Sequence, residues 1–219
     1  MNVAGNALST GLFAAGLLLV ASSAQATTLY NESVNPDLSN NQAAPTPLTL
    51  SLGTNSIIGS VGTGDLQDWV ALTVPAGDKL MSLVLASYQS TDAQGFMGVQ
   101  AGSSFVGNPF TAGPYLGYVH FGTGATNNGP PTNLVGADLL PLMGNTTIAA
   151  GSHGFTPPLG SDTYTFLIQQ LGSPTAYRFD FNVAAVPEPA TWGLLALGGA
   201  LFAIARATSK SHWRCIPKS

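Results

Sequence analysis

Four carboxylates, Glu32, Asp37, Asp65 and Asp68, are the side chains of this sequence that come nearest to a chemical constellation. They form two pairs far apart in sequence, whereas an EF-hand draws its ligands from one continuous loop of about twelve residues. Their ordinary alternative is a set of solvated surface acids. Glycoside hydrolysis needs two carboxyl groups at a separation that only the fold sets, and nothing in the sequence selects such a pair. Between residues 27 and 186 the imidazoles are His120 and His153, both read as loop or surface residues. Ser152 precedes His153, but adjacency in sequence does not make a nucleophile and base, and there is no Gly-x-Ser-x-Gly elbow. Two distant histidines do not supply the three or four ligands of a zinc site. The chain reads as non-enzymatic. Tyr88, Tyr115, Tyr118 and Trp69 form a candidate sugar-stacking platform, with Trp69 better explained as core because it opens a strand.

These residues must be positioned by a chain of 219 residues that is 45% hydrophobic and only 7% charged, against about 25% charged in ordinary soluble domains. It has enough apolar surface to offset chain entropy, so it folds. The 26 glycines and 15 prolines favour a turn-rich β architecture over a helical bundle. Six Lys and Arg are too few for phosphate neutralisation, which excludes a nucleic-acid partner. Up to Val186 two cations, Lys79 and Arg178, face nine carboxylates; beyond it Glu188 faces Arg206, Lys210, Arg214 and Lys218. An acidic body therefore carries a basic tail.

Both ends of the chain speak of export. Residues 7–21 form an apolar run followed by Ser-Ser-Ala-Gln-Ala, with Ala24 and Ala26 at the spacing a signal peptidase accepts. Cleavage after Ala26 leaves Thr27 as the mature N-terminus. The uncharged run 190–205 is roughly 24 Å long as a helix, a short span for a hydrocarbon core of about 30 Å. Trp192 and Arg206 at its ends suit an interfacial aromatic and a cytoplasmic cation, with the body on the far side of the membrane. Just before it, Pro187 and Pro189 hold Glu188 in an extended, accessible segment. This order of Pro-Glu-Pro, short transmembrane helix and basic residues closely resembles the PEP-CTERM sorting signal of exported bacterial proteins. The resemblance implies that Pro187, Glu188 and Pro189 are recognised by an exosortase-type membrane enzyme. It makes Arg206, Lys210 and Arg214 the basic tail, and the cell envelope or an exopolysaccharide matrix the destination. The chain departs from the pattern by continuing to Ser219, with Cys215, its single cysteine, in that extension. The exported body therefore has no intrachain disulfide.

Between the signals the apolar period is two. Residues 177–183 alternate Tyr, Arg, Phe, Asp, Phe, Asn, Val, as a half-buried strand requires. Further strands are expected at 48–52, 56–61, 69–74, 80–88, 96–100, 116–121 and 164–169, separated by Gly- and Pro-rich turns such as Pro75 to Gly77. The expected architecture is all-β: an antiparallel, jelly-roll-like β-sandwich over residues 27–185. An N-terminal signal helix within 1–26 and a single transmembrane helix within the 186–219 sorting region flank it.

Residues 64–87 and 160–183 resemble the opening and the closing hairpin of bacterial pre-peptidase C-terminal domains. The first carries an Asp-x-x-Asp-aromatic start and a Val-Pro-Ala-Gly turn; the second has a Gly before Tyr164 and a further Tyr opening the last strand. The resemblance implies a sandwich whose inter-sheet core is built from Trp69, Tyr164, Phe166, Phe179 and Phe181. Because some such domains bind Ca2+ through acidic residues near the first strand, it also implies calcium at Glu32, Asp37, Asp65 and Asp68, beside the alternative of surface acids. The leading expectation is an exported surface or matrix protein with a structural or adhesive role. Its alternatives are an extracellular carbohydrate-binding module, calcium-assisted, and then an envelope hydrolase.

Overall fold

The computed structural model describes residues 26–186 and position 193 of the chain. Nine strands form two sheets. β1 (Thr27–Asn31), β3 (Gly53–Val61), β9 (Thr175–Ala185) and β5 (Asp78–Gln89) make a four-stranded sheet in that order. β2 (Thr46–Thr49), β4 (Gln67–Thr73), β8 (Thr163–Gln169), β6 (Gly95–Ala101) and β7 (Gly117–Phe121) make a five-stranded one. One five-residue helix, α1 (Leu140–Gly144), is the only α-helix within residues 26–186. The expected signal helix and, apart from position 193, the expected transmembrane helix lie outside the described residues.

The alternating strands bury one row of side chains each between the sheets. Ile57, Leu83, Leu85, Phe179 and Phe181 face Val70, Leu72, Met97, Val99 and Phe166 in one core. Across the gap Phe121 meets Phe179 edge-on at 5.0 Å, and Phe166 meets Phe181 at 5.6 Å. Such pairs add about 0.5–1.5 kcal/mol each beyond their buried area. β9 is the keystone, because it pairs with β3 on one side and β5 on the other over nearly its whole length.

Two expectations are corrected. The sheets are mixed and not purely antiparallel: β1 runs parallel to β3, and β2 parallel to β4. A parallel neighbour needs a crossover of about a dozen residues or more. The β1–β3 interval contains β2 and the β2–β4 interval contains β3, so the chain alternates between sheets while each gains a parallel edge. The second correction concerns Trp69. It is fully buried, but in a separate cluster with Phe105, Tyr115 and Leu167 on the outer face of the five-stranded sheet. Trp69 and Leu167 are register partners and point to the same face, opposite to Val70 and Phe166.

The long Gly- and Pro-rich middle of the chain divides its work. Residues 102–116 fold over the outer face of the five-stranded sheet and bring Phe105 and Tyr115 onto it. Gly98 in β6 is required there, because a Cβ at that position would collide with the Tyr115 ring. Residues 122–144 close the side of the sandwich between β7 and β5. Leu85 N donates to Ala137 O at 3.2 Å, Leu139 N donates to Leu83 O at 2.7 Å, and Asp138 Oδ1 accepts from Leu83 N at 2.9 Å.

Candidate functional site

The β1–β2 connection passes from one sheet to the other, and it carries two of the four carboxylates over a third. Glu32 follows β1, and its backbone N donates to Ile58 O at 3.1 Å. Its side chain is pinned by two amides: Oε1 accepts from Leu38 N at 3.1 Å and Oε2 from Ser60 N at 2.6 Å. Asp68 lies on β4 and is fully buried. Its Oδ2 accepts from the Tyr177 hydroxyl at 2.5 Å, while its Oδ1 is buried without a hydrogen-bond partner. Glu32, Asp37 and Asp68 each bring a carboxylate oxygen within 4.8 Å of the others. Asp65 does not join this group; it sits on the turn where its backbone pairs with Gly62.

Gly59 makes the convergence sterically feasible. It is the register partner of Tyr177, and a Cβ there would stand 2.5 Å from the Tyr177 hydroxyl and 2.8 Å from Glu32 Oε2. Among the described residues no cation is paired with the cluster: Arg178 is paired with Asp180 at 2.8 Å, and Lys79 lies on β5. Burial pushes the Asp68 carboxyl up to about 8, with the charges of Glu32, Asp65 and Asp37 adding and the Tyr177 hydrogen bond opposing. Burial likewise raises Glu32, against the two amides that lower it. Tyr177 is raised well above its ordinary value by burial and by Asp68, so it remains the proton donor of the pair.

The donor set fits a hard divalent cation. Ca2+ takes oxygen ligands at about 2.3–2.6 Å, so two oxygens on one ion are separated by up to about 5 Å. The buried, unpartnered Asp68 Oδ1 is the atom such an ion would satisfy.

The remaining candidates separate. The Ser152 hydroxyl donates to Ala149 O at 2.7 Å, and His153 is exposed. His120 is on β7, half-buried, with its ring edge-on to Phe96 at 5.7 Å, and burial lowers its pKa. Of the aromatic platform, Tyr88 belongs to the inter-sheet core, Trp69 is buried beneath the 102–116 segment, and Tyr115 is the ring of that segment buried against it. Tyr118 alone keeps an accessible ring, beside two residues that sequence reading passed over, Phe96 and Phe110. Phe96 was visible as the opening of a strand; Phe110, in a loop, carries no periodic signal. Ala26, the residue before β1, is exposed. Ala24, Pro187, Glu188, Pro189, Arg206, Lys210 and Arg214 lie outside the described residues.

Val186, the residue after β9, is still held to the body, its N donating to Gly77 O at 2.7 Å. Residues 185–207 match the PEP-CTERM protein-sorting motif. The chain carries a PEP-CTERM sorting signal. That signal implies export with a transient membrane anchor and processing by an exosortase-type enzyme. No curated protein matches the chain. Among solved structures, the pre-peptidase C-terminal domain of collagenase from Bacillus anthracis is similar, with 15% identity, a TM-score of 0.31, and coverage of 64% of this chain and 97% of that one.

Proposed function

We propose that the protein is a non-enzymatic, exported β-sandwich that serves a structural or adhesive role at the cell surface or in an exopolysaccharide matrix. Signal peptidase cuts after Ala26, the 190–205 helix anchors the precursor in the inner membrane, and the sorting enzyme acts at Pro187, Glu188 and Pro189. The observation that carries this reading is the junction: the sorting motif begins at residue 185, the last residue of β9, so the signal abuts the folded body without a linker. Mass spectrometry of protein recovered from envelope and medium tests it. The expected species begins at Thr27 and has lost the residues beyond the neighbourhood of Pro189; a full-length chain confined to the cytoplasm overturns the reading.

Calcium belongs to this reading as a structural ion at Glu32, Asp37 and Asp68, supported by the unpartnered Asp68 Oδ1. Bound there, it would supply charge compensation that links the β1–β2 connection to β4. Titration calorimetry with CaCl2 should show heat that Asp68→Asn abolishes, and an unchanged melting temperature in EDTA counts against the ion.

A further inference from the structure

The outer face of the five-stranded sheet is only half covered. The 102–116 segment buries Trp69 and Leu167 with its own Tyr115, and stops short of the next row across the strands. That row is Gln169 on β8, Phe96 on β6 and His120 on β7, which are direct register partners and share one face. Phe96 and Tyr118 lie side by side, with ring centroids 5.6 Å apart and planes 31° from parallel. A depression of about 270 Å³ on one side of Phe96 is lined by Phe96, Phe110, Tyr118 and Gln169. A second of about 290 Å³ on the other side is lined by Phe96, Gln169, His120 and Leu171. Both share Phe96 and Gln169, so they are neighbouring parts of one groove that runs along β7 from Tyr118 to His120.

Two features of the groove call for a ligand. Gln169, which lines both depressions, is 8% exposed, and its buried Nε2 has no hydrogen-bond partner. Phe110, 71% exposed, and Leu171, 61% exposed, are large apolar side chains that a monomer gains nothing by presenting to water, and both also line a third depression with Asp65, Leu66 and Gln67. The charge pattern selects the chemistry. The body's two cations, Lys79 and Arg178, both lie on strands of the other sheet, while Asp92 lines the groove. Anionic ligands are therefore repelled and not held. Aromatic faces carry negative potential that attracts the C–H edges of a neutral pyranose ring. An amide donor is satisfied by a sugar hydroxyl and by nothing on an alkane.

We propose that the groove around Phe96, lined also by Tyr118, Phe110 and Gln169, binds a segment of neutral polysaccharide. The proposal deepens the adhesive reading by naming its ligand class and contact surface. The full chain, held in micelles of a detergent free of sugar head groups, is titrated calorimetrically with cellohexaose, laminarihexaose, xylohexaose and maltohexaose, and with hexagalacturonate as the anionic counterpart. The proposal expects saturable binding of at least one neutral hexasaccharide. Phe110→Ala and Gln169→Leu should each weaken it by about tenfold or more, with Val34→Ala, an exposed site elsewhere, as the unaffected control. Phe110 is exposed, so its substitution reports on binding even if Gln169→Leu disturbs the sheet. Absence of heat with all four neutral sugars, preference for hexagalacturonate, or binding indifferent to Phe110→Ala overturns it. Since sorting is read by mass spectrometry and binding by calorimetry, either idea fails without the other.

Discussion

Asp68 is a carboxyl group in the wrong solvent. Water is excluded, one oxygen is held by the Tyr177 hydroxyl, and the other is unsatisfied. Its pKa in the folded, metal-free chain is about 8 against an ordinary 3.8, so the fold binds a proton over a range in which the unfolded chain has released it. The linkage sign follows: stability from this group is complete below about pH 4 and is lost as pH rises toward 8. In EDTA, the melting temperature should therefore fall between pH 5 and pH 8, by the equivalent of a few kcal/mol. Asp68→Asn should flatten that slope, and a slope that persists in the variant assigns it elsewhere. Tyr177→Phe leaves Asp68 with two orphaned oxygens and should cost about 1–3 kcal/mol in urea unfolding. Gly59→Ala should be as harmful, because its methyl group would displace the Tyr177 hydroxyl and Glu32 together.

At the level of elements, β9 concentrates the stability of the sandwich. Its inward residues Tyr177, Phe179 and Phe181 are all buried, and both neighbours hang on its backbone. Phe179 touches Phe121 of the opposite sheet, so Phe179→Ala opens a cavity at the centre of the core and should cost about 3–5 kcal/mol by equilibrium denaturation. An exposed change on the same strand, Ala176→Ser, should cost less than about 0.5 kcal/mol. β9 was also the most legible element, because strict alternation over 177–183 admits only a half-buried strand. Eight of the nine strands were expected from apolar segments between Gly- and Pro-rich turns, with ends displaced by a few residues; β4 and β8 are buried on both faces and do not alternate. β1 was not expected: Thr27–Asn31 is a short edge strand with no buried residue and hence no apolar period. Its parallel pairing, like that of β2, depends on where the chain crosses between sheets, which a local pattern does not encode. Trp69 was misplaced for a related reason. Period two separates the faces of a strand, but a face covered by a distant loop is as apolar as one covered by another sheet.

On the scale of the whole molecule, the two outer faces differ in kind. The four-stranded sheet presents a self-satisfied polar lattice: Arg178 and Ser56 on Asp180, with Thr54 and Ser82 bridged by Asn182. The other sheet presents aromatic rings and an unmet amide, and the sorting signal leaves the body at the end of β9. Such an arrangement works only if removal of the signal leaves the sandwich intact. The buried apolar core runs from Leu38 to Val183, and the final pairing of β9 joins Ala185 to Asp78 at its rim. A chain ending at residue 189 therefore loses no core side chain and no ladder pairing among the described residues. Its thermal transition should lie within about 2 °C of that of the full chain. Ending the chain at residue 176 instead removes Tyr177, Phe179, Phe181 and Val183, and leaves β3 and β5 without their shared neighbour. Circular dichroism should then show no cooperative unfolding. A large loss of stability in the 189 form would mean that the sorting region is part of the fold, and that processing remodels the body it releases.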